Sequence, residues 1–172
     1  MHWPSQWHPE HDEPGNCGCV VLLGPVAIRD ARGLRRLEQH CRRGGGIVVV
    51  GATRQAMPGW AEFAQDVLGA SDAGQADEVL LEVRAARGAR LHPVLAGVEP
   101  FPAHGDLLRG PRPARDAAVL VFGHARGLMK PVAWVRPYGD GRVFYCSLTD
   151  GGDLGDPNFL RLLANAVCWT AP

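Results

Sequence analysis

PVAWVRPYGDGRVFYCSLTDGGDLGDPNFLRLLANAVCW, residues 131–169, carries the clearest local structure in the chain. Two apolar alternating runs, 131–138 and 142–148, meet at Gly139-Asp140-Gly141, a strong hairpin signal. Asp156-Pro157 then opens a helix. The aspartate accepts from unpaired N–H groups as N-cap, and proline's fixed φ suits the first helical position. Leu160, Leu163, Ala164, Val167 and Cys168 form an apolar stripe at helical spacing. The polar loop 149–155 separates the hairpin from the helix.

Upstream, Cys19-Val20-Val21-Leu22-Leu23 ends at Gly24-Pro25 and reads as a buried parallel strand. Asp30 caps a helix to about Arg43 with Leu34, Leu37 and Cys41 on one face, and Gly44-Gly45-Gly46 stops it. Ile47 to Val50 is a second buried strand, which completes a βαβ unit. Pro58 opens another helix with Trp60, Phe63, Ala64, Val67 and Leu68 inward. Glu78 to Val83 and Ala117 to Phe122 read as strands, 92–98 as a connection with one helical turn, and 101–116 as a Pro- and Arg-rich loop. The pattern predicts an α/β fold with a mostly parallel sheet and a C-terminal antiparallel hairpin.

With 172 residues the chain suits a single domain, at 17–172, behind a polar tail, 1–16. Hydrophobic residues make up 46% and charged residues 21%, ordinary for a globular protein. Eighteen basic residues balance 18 acidic ones, which argues against nucleic acid or an anionic membrane as partner. No run approaches the roughly 18 apolar residues of a membrane span, and the N-terminus lacks a signal-peptide pattern, so a cytoplasmic location is expected. The cysteines at 41, 146 and 168 are expected to be buried free thiols. The tail's His2, His8 and His11 with Cys17 and Cys19 match no compact zinc spacing, so no metal or other cofactor is expected. Trp3 and Trp7 in the tail suit docking on an apolar groove.

Four segments resemble the ThuA-like (trehalose utilisation) family of the class I glutamine-amidotransferase-like superfamily. They are Arg42-Arg43-Gly44-Gly45-Gly46 into Ile47–Val50; His92–Val98 with Phe101; Pro131–Trp134 with Tyr138–Tyr145; and Asp156–Leu160 through Asn165 to Trp169. The resemblance implies a flavodoxin-like three-layer sandwich and a carbohydrate-linked role. It also implies departures. An N-terminal strand–helix–strand usual in the family is missing before Cys19, so the open sheet edge invites a homodimer or partner domain. Thr149-Asp150 stands where many relatives have Gly-His, Gly51 where relatives have His or Arg, and Asp106-Leu107-Leu108 where relatives have Glu, Leu and an aromatic. The superfamily's nucleophile elbow matches Val50-Gly51-Ala52-Thr53-Arg54, which holds no cysteine, so thiolate glutamine hydrolysis is excluded there.

Ligands of parallel α/β sheets sit beyond the C-terminal strand ends, here loops 51–57 and 149–155. Thr53, Arg54 and Gln55 can hydrogen-bond an anionic or hydroxylated ligand there, or form a solvated loop. Asp106 is a further ligand-binding candidate. Asp150, Asp153 and Asp156 can bind a cation or sugar hydroxyls, or serve as turn and cap residues. His92 can touch a ligand or tie down its loop. With no nucleophile visible, catalysis falls to acid–base work by Asp150 or His92. Two functions stay open. One is a domain binding a small polar, carbohydrate-derived ligand with weak or altered catalysis. The other is a non-catalytic interaction or structural domain, a degenerate member of the superfamily.

Overall fold

β-Branched runs make the centre of a sheet because they pack well on a pleated surface. The computed structural model describes residues 17–24, 31–51, 59–71, 78–106, 111–148 and 153–172. In chain order the elements are β1 (Cys19–Leu23), α1 (Ala31–Arg42), β2 (Gly46–Val50), α2 (Trp60–Phe63) continued by a π-helical turn (Ala64–Leu68), and β3 (Glu78–Ala85). Two 3-10 turns follow, Arg87–Ala89 and Pro93–Leu95, then β4 (Phe101–Asp106), β5 (Ala118–Ala125), β6 (Leu128–Tyr138) and β7 (Gly141–Cys146). A last 3-10 turn, Asp153–Gly155, leads into α3 (Pro157–Thr170).

The seven strands form one sheet in the order β1-β2-β7-β6-β5-β3-β4. Only β1/β2 and β2/β7 pair in parallel; β7/β6, β6/β5, β5/β3 and β3/β4 are antiparallel. The expected mostly parallel sheet is therefore corrected to a mixed, mostly antiparallel one. The cause lies in the connections. β5 and β6 are joined by Arg126 (φ 51°) and Gly127 (φ 75°), and β6 and β7 by Gly139-Asp140. Two-residue turns with positive φ join only antiparallel neighbours.

All five residues of β2 are buried. Ile47 and Val49 pack with Leu34, Leu37 and Cys41 of α1; Val48 and Val50 pack with Phe159, Leu162 and Ala166 of α3. Helices thus cover both faces at β2 and β7. On β3 the outward residues Leu80, Glu82 and Arg84 are exposed, Leu80 at 61%. The expected flavodoxin-like three-layer order stops short of this antiparallel side.

Asp156 caps α3 as expected: its Oδ1 accepts from Asn158 N at 2.8 Å and from Phe159 N at 3.2 Å. The helix buries Phe159, Leu162, Leu163, Ala166 and Thr170, while Leu160, Ala164 and Cys168 are exposed. Of the expected stripe, then, only Leu163 is buried. Both faces are apolar enough to be read as inward, and the packing against the sheet selects one of them. Cys41 and Cys146 are buried thiols, whereas Cys168 lies on the outer face of the helix. The expected loop at 101–116 begins instead with β4, the second partner of β3. The expected cap Asp30 lies outside the described residues.

Candidate functional site

The three parallel strands point their C-terminal ends the same way, and they stay joined one residue beyond the sheet. Gly24 N–H donates to Val50 O at 2.9 Å, and Gly51 N–H donates to Cys146 O at 3.0 Å. Gly51 has φ +86°, a conformation that side chains rarely adopt, and a Cβ on it would lie 3.3 Å from Gly24 Cα. The two glycines let these backbones meet closely and keep side chains out of the gap between them. The chain leaves β1 through α1 on one face and leaves β7 towards α3 on the other. The β2/β7 boundary is therefore a switch point, where the helices pass to opposite faces and where ligands of such sheets bind.

Around this switch point the structure gathers several candidate segments. Ser147 is buried; its N–H donates to Val132 O at 2.8 Å, and its Oγ lies 3.3 Å from the same oxygen. This anchors the chain just before Thr149-Asp150. β4 runs in the same direction as β7 and brings Asp106, in register with Glu78, to the same sheet end. A Cβ on neighbouring Gly105 would lie 3.3 Å from Leu148 Cδ2, and the Asp153–Gly155 turn lies against β4. The backbones at 51, 106, 148 and 153 thus share one end of the sheet. Thr53, Arg54, Gln55 and Asp150 lie outside the described residues, in the loops that leave this end.

His92 is placed elsewhere. It caps the Pro93–Leu95 turn, with its Nδ1 accepting from Val94 N at 3.3 Å. Its ring packs on Trp169 with centroids 5.0 Å apart, near the C-terminal end of α3. Partial burial holds its pKa below the usual histidine value. Asp156, at the switch-point end, begins this 14-residue helix, so about 20 Å of helix separates the two ends. Asn165 Nδ2 ties the same turn through Val94 O at 3.1 Å and Ala96 O at 2.9 Å.

Two features escape the sequence reading. Ser147 is one; its signal is a small polar residue directly after an apolar strand. The other is Tyr138, whose hydroxyl donates to Glu38 Oε1 at 2.7 Å and accepts from Arg42 at 3.0 Å. This bond to Tyr138, ahead of the Arg42 contacts, holds Glu38 below the usual carboxylate range. It locks α1 to the hairpin and is structural. Cys146 is fully buried in the sheet. Among the described residues no three His, Cys, Asp or Glu side chains gather in a way that could hold a metal ion.

A family model described as ThuA, trehalose utilisation, matches residues 16–170. No curated protein matches the chain. Solved structures share the fold. A cytoplasmic protein from Salmonella typhimurium superposes with a TM-score of 0.68 at 14% identity, over 90% of this chain and 72% of that one. A ThuA-like protein from Parabacteroides merdae gives 0.66 at 19% identity, over 89% of this chain and 70% of that one. A cold-adapted β-galactosidase from Rahnella gives 0.63 at 19% identity, with 90% of this chain matching 23% of that one.

Proposed function

The chain belongs to the ThuA family, described by trehalose utilisation, and on that premise we propose that it binds a small polar, carbohydrate-derived ligand at the C-terminal ends of β2 and β7. The observation that carries this reading is the close approach of Gly51 and Gly24 at the β2/β7 boundary, where the helices pass to opposite faces. The backbones at 51, 106, 148 and 153 share that end of the sheet. Thr53, Arg54, Gln55, Asp106 and Asp153 supply hydrogen bonds to hydroxyl groups in this reading. Asp150 is the acid–base group, and catalysis is weak or altered because no nucleophile accompanies it. The capping bond to Val94 and the ring contact with Trp169 support His92 as a tether of its loop. Among the described residues no helix is long and apolar enough to cross a membrane, and one neighbour is described as cytoplasmic. That neighbour's description supports a cytoplasmic setting.

The test is a thermal-shift panel of neutral sugars and sugar phosphates. A saturable rise in melting temperature for one carbohydrate is expected, weakened about tenfold in apparent affinity by Asp150→Asn, the size of one charge-assisted hydrogen bond. A panel with no shift overturns the reading.

One observation favours a second reading, a non-catalytic interaction domain. β1 ends the described sheet, and Val21 and Leu23 on it are 37% and 47% exposed. An open edge with apolar side chains pairs readily with a second copy or a partner domain. The same fold forms 23% of the larger Rahnella chain, which supports a life beside other domains.

A further inference from the structure

β3 outruns β4. Val83 opposite Phe101 is their last pair, while Arg84 and Ala85 continue against Phe122 and Val121 of β5. Beyond Val83 the loop Gly97–Pro100 stands in place of a strand, and a groove of about 860 Å³ opens there. That lies within the range of small-molecule sites, about 300–1,000 Å³. Its lining sets three guanidinium groups, Arg84, Arg87 and Arg90, against one carboxylate, Glu99. Acidic and basic residues are equal in number over the whole chain, so the excess is local.

Arg84 pairs with Glu82. Arg87 and Arg90 are exposed, and among the described residues neither has an ion-pair or hydrogen-bond partner. They begin and follow a single 3-10 turn, Arg87–Ala89, and Arg90 keeps helical backbone angles (φ −55°, ψ −26°). In a 3-10 turn residues i and i+3 eclipse, so both side chains leave from the same side. Two guanidinium forks side by side suit a group with several anionic oxygens. Phe122, half-buried, and Met129, 58% exposed, add an apolar wall to the same groove.

We propose that this groove is a second binding site, for a small organic phosphate. Arg87 and Arg90 hold the phosphate, and Phe122 and Met129 pack against the rest of the molecule. The site is separate from the parallel strand ends. Ala86 N–H bonds Leu120 O near the start of β5, and β5 runs in the same direction as β7. Arg87 therefore enters from the opposite end of the sheet, and the proposal does not rest on the carbohydrate reading.

Isothermal titration of the full chain with phenyl phosphate, inorganic phosphate and phenol tests it. Phenyl phosphate should saturate, bind more tightly than inorganic phosphate, and weaken as salt rises. Arg87→Gln and Arg90→Gln should each weaken it about tenfold, since each removes a charge-assisted bond. Arg87→Lys, which keeps the charge and loses the fork, should fall between. Both arginines are exposed, so the variants should melt like the parent. Equal binding by the parent and the Arg87→Gln/Arg90→Gln double variant, or no saturable binding at all, overturns the proposal. Inorganic phosphate binding as tightly as phenyl phosphate overturns the role given to Phe122 and Met129.

Discussion

The unprotonated Nδ1 of His92 accepts the Val94 N–H, and His40 Nε2 lies 3.2 Å from Gly46 O in a second partly buried site. Burial lowers the pKa of both below the ordinary 6.5, in His40 against a smaller opposing effect of that carbonyl. The sign follows from linkage. As pH falls through about 6.5 the unfolded chain takes up these protons first, so stability is lost from there down towards the folded values. Melting temperature should fall between pH 7 and pH 5, and His92→Gln and His40→Gln should each flatten that slope. Slopes equal to the parent's in both variants would rule this out. The same residues mark what single positions reveal. Imidazole before proline announces an extended backbone but not its contacts. Trp169, its ring partner, lies 77 residues away in the chain, so only the folded structure names it. Asp150 and 53–55 are legible as candidates because each follows an apolar run that reads as a strand. Arg87 with Phe122 is not, because only the pairing of β3 with β5 brings them to one groove.

α3 shows how an element can be right in place and shifted in rotation. Its cap, its start and its length follow from Asp156-Pro157 and the apolar content, and the structure agrees. Its inward face does not follow, because apolar residues lie on both sides of the helix. Phe159 is fully buried with its ring centroid 5.8 Å from that of Phe101, whereas Leu160 is 47% exposed. Phe159→Ala should cost about 3–5 kcal/mol in urea unfolding, as large-to-small core changes do. Leu160→Ala should cost about 0.5 kcal/mol or less, as surface changes do. The reverse order would restore the expected stripe. β4 is a similar case. Pro102 and Gly105 mask strand character in the sequence, yet both are tolerated because β4 lies at the sheet edge, and Gly105 makes room for Leu81 and Leu148.

The whole sheet is anchored at its centre and open at its ends. β2 and β7 are paired on both sides and buried on both faces, while β1 and β4 each have one strand neighbour among the described residues. Amide hydrogen exchange should be slowest in β2 and β7, at the rate set by global unfolding. β1 and β4 should exchange faster through local opening. Uniform protection across the seven strands would contradict this. The amino-acid sequence by itself determined the α/β class, the βαβ unit, the Gly139-Asp140 hairpin and the capped last helix, because each rests on local periodicity and local backbone chemistry. It also carried the ThuA resemblance, through short motifs in order. The tertiary structure alone decided that four of the six strand pairings are antiparallel, which face of α3 is buried, and where His92, Arg87 and Arg90 sit. Those outcomes depend on contacts between residues far apart in the chain, whose energies no local pattern encodes.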